Sequence, residues 1–248
     1  MADELTEAGG RIRLYVTADL AKDTSVTLSD GQGHYLLHVM RAEVGDCLRL
    51  FNGRDGEWAG EIMSAGKRGV TVTARARTAP QVEVPDLWLC FAPVKKTPSD
   101  YLAQKATELG VAKLQPVFTR RTIVTRVNQD RLLANVIEAA EQSDRLSVPE
   151  VAAPVMLEKM LSEWPEERTL YFCDEGGDAC PMARVAILAP VAILTGPEGG
   201  FDPAERALLR KRSFVVPVTL GPRILRADTA ALAALAVWQS TAGGWRQE

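Results

Sequence analysis

The sequence predicts an α/β protein in two parts, a small N-terminal β-barrel followed by a parallel sheet covered by helices. Three observations carry that expectation. The first 80 residues hold short strand-like segments between turn signals. The stretch 78–85 (TAPQVEVP) has two prolines and no clear period, and from residue 87 strand and helix patterns alternate.

In the first part the expected strands are RIRLYV (11–16), CLRLF (47–51), EWAGEIM (57–63) and GVTVTARA (69–76), with turns at Asn52-Gly53 and Asp55-Gly56. One helical stretch, HYLLHVMRA (34–42), brings Leu36, Leu37, Val39 and Met40 into an apolar cluster and ends at the turn Glu43-Val44-Gly45-Asp46. A boundary near residue 82 gives domains 1–80 and 83–248. The second part then runs LWLCFAP, helix SDYLAQKATELG, LQPVF, helix QDRLLANVIEAAEQ, LYFCD, VAILTG, helix DPAERALLRKR, FVVPVTL and helix ADTAALAALAVWQ. Ser99 can cap the first of these helices and Gly110 can end it. Asp202-Pro203-Ala204-Glu205 reads as a cap, a proline at the first helical position and a capping-box glutamate.

Composition narrows the class. The N-terminus MADELTEAGG is acidic, and nowhere is there a signal-like run or the roughly 18 to 20 apolar residues of a membrane span, so a cytoplasmic chain with no membrane partner is expected. The cysteines Cys47, Cys90, Cys173 and Cys180 are far apart, and His34 and His38 are the two histidines; paired zinc ligands are missing and no metal is expected. A net charge of −3 argues against holding nucleic acid by bulk electrostatics. The charge is uneven, however. Residues 95–131, from Lys95 to Arg131, carry eight Lys/Arg against three acids, and residues 132–178 carry eleven acids against three bases. The basic run reads either as a solvated face or as a phosphate track.

Open α/β sheets bind ligands beyond the carboxyl ends of their strands. Two loops there are unusual, Thr195-Gly196-Pro197-Glu198-Gly199-Gly200-Phe201 and Leu220-Gly221-Pro222-Arg223-Ile224-Leu225-Arg226. Their glycines let the backbone approach a ligand, or else simply make tight connections. Neither G-x-G-x-x-G after the first strand of the domain nor G-x-x-x-x-G-K-[ST] is present, which removes the usual support for nicotinamide and triphosphate binding. A Gly-x-Ser-x-Gly elbow is also missing, and both histidines lie outside the C-terminal part, which argues against histidine-based acyl transfer.

GPEGGF (196–201) with LGPRILRADTA (220–230) resembles the two cofactor loops of the SPOUT methyltransferases, specifically the 16S ribosomal RNA uracil-N3 methyltransferases of the RsmE family. KATELGV (105–111), PVFTRRT (116–122), EAAEQSDR (138–145) and HYLLHVMRAEVGD (34–46) resemble that family's other segments in the same order, so the likeness runs from about residue 11 to residue 235. One departure is Asp228, where the family usually has glutamate.

The resemblance implies a PUA-like barrel joined to a SPOUT domain with a C-terminal trefoil knot, working as a homodimer on 16S ribosomal RNA, within the small ribosomal subunit. It implies S-adenosyl-L-methionine as cofactor, cradled by Leu194, Gly196, Glu198, Gly199, Gly200, Leu220, Gly221, Ile224 and Leu225. For methylation of uracil N3, Arg226 would favour the anion while Glu198 or Asp228 takes the proton or orients Arg226. A purely structural Arg226, paired with Asp228 or Glu198 to close its loop, is the competing reading. RNA would meet Arg120, Arg121, Arg126 and Arg145, and on the barrel either Arg41 or Arg75 and Arg77. The last helix, apolar on nearly all sides from Ala230 to Trp238, must be buried, by a partner subunit or by its own chain. A non-catalytic RNA-binding factor and an enzyme acting on a ribose hydroxyl or another base are the alternatives.

Overall fold

The computed structural model describes residues 12–66, 69–94, 96–176 and 178–245. Arg11 of the expected first strand, Lys95 of the basic run and the chain ends 1–11 and 246–248 lie outside them. Two compact units emerge. The first takes in the described residues up to Glu83 together with Ala140–Val148, and the second Val84–Ala139 with the chain from Pro149 onward. Residues 140–148 thus group with the first unit, although the sequence places them in the α/β part.

In the first unit, β1 (Arg13–Tyr15), β2 (Ser25–Thr27), β3 (Cys47–Phe51), β4 (Glu57–Gly66) and β5 (Gly69–Ala79) form one sheet in the order β1-β3-β4-β5-β2. β1 and β3 run parallel and the other pairs antiparallel. Three register shifts between β4 and β5 bend the sheet around a core that includes Leu14, Leu36, Leu48, Leu50, Ile62 and Val72. The helical stretch starts earlier than its apolar pattern suggests. Ser29 and Gln32 form a capping box for α1 (Asp30–His34), which continues as a single π turn over Tyr35–Val39 and buries Leu36. Residues 140–148 are tied in by Arg13, which is buried against Glu57 at 2.7 Å and donates to the carbonyls of Ala140, Glu141 and Arg145.

In the second unit the order is β6 (Leu87–Phe91), α2 (Lys96–Glu108), β7 (Lys113–Phe118), α3 (Gln129–Gln142), β8 (Glu150–Val151), β9 (Val155–Met156), α4 (Leu157–Ser162), β10 (Thr169–Cys173), β11 (Cys180–Pro181), α5 (Met182–Val185), β12 (Val191–Thr195), α6 (Pro203–Arg210), β13 (Val215–Thr219) and α7 (Ala227–Thr241). The sheet reads β11-β13-β10-β12-β6-β7-β8, with β9 also on β7 and all pairs parallel. Every residue of β12 is buried, which is why VAILT reads as a continuous apolar run rather than an alternation.

α7 packs on β12, α2 and α5. Its inner face buries Ala231, Ala234, Leu235, Trp238 and Gln239, fixed by bonds from Trp238 to the Ile187 carbonyl and from Gln239 to the Leu109 carbonyl. The opposite face, Leu232, Ala233, Ala236 and Val237, is only half-buried.

Candidate active site

The carboxyl ends of β6, β10, β12 and β13 open together onto a cavity of about 550 Å³. Gly196, Glu198, Gly200, Leu220, Gly221, Ile224, Leu225, Arg226 and Asp228 line it, which joins the two loops singled out by sequence. Leu194 and Gly199 do not. Leu194 is fully buried in β12, and the Gly199 carbonyl points to Arg121.

The first loop leaves β12 at the buried Thr195 and turns tightly, the Gly200 amide donating to the Pro197 carbonyl at 2.9 Å. Phe201 then inserts into the core, edge-on to Phe172 with ring centroids 4.9 Å apart. A Cβ on Gly196 would stand 2.6 Å from the Phe201 ring, so this glycine makes room for Phe201 rather than for a ligand. Asp202 and Glu205 form the expected capping box at α6. Glu205 is buried, and besides the Asp202 amide it accepts the Arg120 amide at 2.8 Å.

The second loop differs. Gly221 has φ 117°, a conformation that other residues rarely adopt, and a Cβ there would meet nothing within 4 Å. Here the backbone does border open space. The loop ends at Arg226, the exposed N-cap residue of α7, whose side chain makes no ion pair with Glu198 or Asp228 among the described residues. Asp228 instead accepts the Thr229 amide at 2.8 Å, while the exposed Glu198 carboxylate has no hydrogen bond or ion pair among the described residues. A loop-closing pair of Arg226 with Glu198 or Asp228 is therefore not formed among the described residues.

A third segment of the lining, Cys173 at the end of β10 with Asp174 and Glu175 after it, was not anticipated. The Asp174 side chain, 1% exposed, is clamped by Arg206 at 2.9 Å and Arg210 at 2.7 Å. Arg210 also grips Asp178, and the two carboxylates, Asp178 foremost, hold its guanidinium above the ordinary value. Burial pushes the Cys173 thiol up to about 12, so it stays neutral and is no thiolate nucleophile. The signal was available, because LYFC is a strand followed at once by Asp-Glu-Gly-Gly.

Of the arginines expected to meet RNA, Arg120, Arg121 and Arg126 are exposed on the segment after β7. Arg41 is exposed in the first unit with φ 57°, just past the π turn. Arg145, also in that unit, is half-buried beside Ser147, and burial pushes its guanidinium down to about 10.

A family model for the RNA methyltransferase domain matches residues 81–239, and one for the RNA methyltransferase PUA domain matches residues 28–74. The chain belongs to the RNA methyltransferase family. Within that family it is 34% identical over 228 residues to the ribosomal RNA small subunit methyltransferase E of Rickettsia conorii, covering 90% of this chain and 93% of that one. Two solved structures share its fold. A methyltransferase of Legionella pneumophila in complex with bound S-adenosylmethionine has a TM-score of 0.86 at 32% identity, over 94% of this chain and 98% of that one. The small subunit methyltransferase E of Neisseria gonorrhoeae, also bound to S-adenosylmethionine, has a TM-score of 0.87 at 28% identity, over 95% and 99%. Both cover the PUA unit as well as the methyltransferase unit, the architecture that the sequence predicts. Among the described residues no helix is long and apolar enough to cross a membrane, and no cluster of metal-binding side chains is present.

Proposed function

We propose that this RNA methyltransferase transfers a methyl group from S-adenosyl-L-methionine to N3 of a uridine in 16S ribosomal RNA. The observation that carries the reading is the joining of the two glycine loops around one cavity, with the Arg226 guanidinium, which has no ion pair among the described residues, at its wall. A cavity of about 550 Å³ is of the size that holds a nucleoside-sized ligand, and the open backbone at Gly221 suits close approach. The cofactor supplies an electrophilic methyl on a sulfonium. The chain's own residues do the rest. Main-chain groups of Leu220, Gly221 and Leu225 and of Gly196 and Gly200 hold the cofactor, with Leu194 and Gly199 acting from beneath and behind the first loop.

Uracil N3 carries a proton at neutral pH and must lose it as the N–C bond forms. Arg226 stabilises the anion, and it is available because among the described residues no acid pairs with it. Glu198, whose carboxylate has no partner among the described residues, is the better placed acceptor for the proton. Asp228 already holds the Thr229 amide and is assigned to the start of α7. RNA contacts fall to Arg121 and Arg126, with Arg120, Arg41 and Arg145 in lesser roles, since Arg120 is paired with Asp202 at 3.2 Å and Arg145 is half-buried.

Three further features belong to the same proposal. The half-buried apolar face of α7 supports a homodimer. A C-terminal trefoil knot is supported by the path of the chain, which leaves β13, passes back beyond β10 and packs as α7 on β12. A ribosomal RNA substrate supports a cytoplasmic protein that acts with the small ribosomal subunit. Mapping methylated nucleotides in 16S ribosomal RNA from cells with and without the protein tests the reading, which predicts one N3-methyluridine lost on deletion. An unchanged methylation map would instead favour a non-catalytic RNA-binding factor.

A further inference from the structure

Arg120 and Arg121 both reach the first glycine loop, but in different ways. Arg120 donates its amide to the buried Glu205, and its guanidinium lies 3.2 Å from Asp202 and 3.9 Å from Glu158. Two carboxylates therefore face its charge. Arg121 has no acid within ion-pair distance among the described residues, and it donates one guanidinium bond, Nη1 to the Gly199 carbonyl, at 2.9 Å. Its stem also packs against Gly199, since a Cβ there would lie 3.6 Å from the Arg121 Cβ and 3.7 Å from its Cδ.

Gly199 sits between Glu198 and Gly200, both of which line the cavity, inside the turn closed by the bond from Gly200 to Pro197. Whatever restrains the Gly199 carbonyl therefore restrains that wall. A guanidinium has five N–H donors in a rigid plane, and a single N–H here faces protein. The exposed remainder can grip a phosphate without releasing the carbonyl.

We propose that Arg121 is a positioning residue that couples RNA binding to cofactor binding, by holding the Gly199 carbonyl with one edge and an RNA phosphate with the other. The proposal rests on the reading of the cavity as the cofactor site. A phosphate that immobilises the guanidinium also immobilises the glycine loop, so RNA tightens cofactor binding. By linkage, cofactor tightens RNA binding by the same factor.

S-Adenosylhomocysteine affinity measured by calorimetry on the full chain, with and without saturating purified 16S ribosomal RNA, tests this in wild type, Arg121→Ala and Arg121→Lys. Arg121→Ala should weaken binding about threefold to tenfold without RNA, the net range for an ordinary protein hydrogen bond. RNA should tighten binding at least about fivefold in wild type, at the low end of usual coupling, and not in Arg121→Ala. Arg121→Lys, which keeps the charge and one donor, should recover part of both effects. Unchanged affinity in Arg121→Ala, or an RNA effect of equal size in wild type and Arg121→Ala, overturns the proposal. Gly221→Val is the control for the cavity itself. If that variant still binds S-adenosylhomocysteine, the cofactor-site reading has failed; if it does not, a negative result at Arg121 concerns the coupling alone.

Discussion

The Phe201 ring fills the space that a side chain on Gly196 would need, its Cε2 lying 2.6 Å from the position of that Cβ. Gly196→Val must therefore push Phe201 off Phe172 and open the core beneath the loop. Overpacking of this kind costs about 1–3 kcal/mol. Thermal unfolding of the variant should show that loss together with weaker cofactor binding. Full stability with binding abolished would mean that the valine meets the ligand instead.

Gly221 presents the opposite case, a strained φ with open space around it. Gly221→Ala should lower stability by about 1–3 kcal/mol through backbone strain. Because Gly221 lines the cavity and a Cβ there meets no protein atom within 4 Å, S-adenosylhomocysteine affinity should fall by more than the loss of folded protein explains. Calorimetry at a temperature where the variant is fully folded separates the two.

How far the site could be read from sequence follows the same division. The two Gly-Pro loops stood out because few residue types tolerate such turns, and the structure brings both to one cavity. Which glycine faces a ligand and which faces a ring was not legible, because it depends on Phe201, whose partner Phe172 is far away in sequence. Long periodic elements were also plain, and QDRLLANVIEAAEQ is helical over just the residues expected, Gln129–Gln142. Short elements were not. β2 buries only Val26, and the two-residue strands β8 and β9 leave no alternation to detect. α4 was missed although it buries Leu157, Met160 and Leu161, a pattern too brief to tell from a strand or loop.

The inner and outer faces of α7 should respond differently to mutation. Trp238 and Leu235 are fully buried within the chain, so charging them tests folding; Trp238→Ala should cost about 3–5 kcal/mol. Leu232 and Val237 lie on the half-buried face. Leu232→Glu or Val237→Glu should leave the protomer folded and shift light scattering from dimer to monomer, since an unpaired charge is costly in an apolar contact. A protein that is monomeric before mutation at micromolar concentration contradicts the proposed dimer.

Salt dependence separates the two adjacent arginines. Each neutralised phosphate contributes a slope of roughly −0.7 to −0.9 in log affinity against log salt. Arg121→Ala should flatten the slope by about one such unit, and Arg120→Ala by less, because Asp202 and Glu158 already face Arg120. Filter binding of 16S ribosomal RNA across a salt series reads this directly. Equal slopes for wild type and Arg121→Ala would return the segment after β7 to plain solvated surface.

Arg226 provides the sharpest separation of chemistry from architecture. Its guanidinium is exposed at the cavity wall and closes no ion pair with Glu198 or Asp228, so removing it deletes no structural contact of that kind. If it acts on the charge that develops as the N3 proton leaves, its contribution appears in the transition state more than in ground-state binding. Arg226→Ala should then lower the single-turnover rate by about 10² to 10³, as loss of a preorganised donor does, while S-adenosylhomocysteine affinity and thermal stability change little. The sign of the pH effect follows from the acceptor. Raising pH from neutral to mildly alkaline increases the fraction of uracil already deprotonated, so the deficit relative to wild type should shrink. A structural arginine would give another pattern, in which the segment from Leu220 to Arg226 loosens, cofactor affinity falls in proportion to rate, and alkaline pH restores nothing. Rates and affinities measured together across that pH range decide between them, and proportional loss of both would remove Arg226 from the chemistry and leave Glu198 without the cation that makes proton removal from N3 favourable.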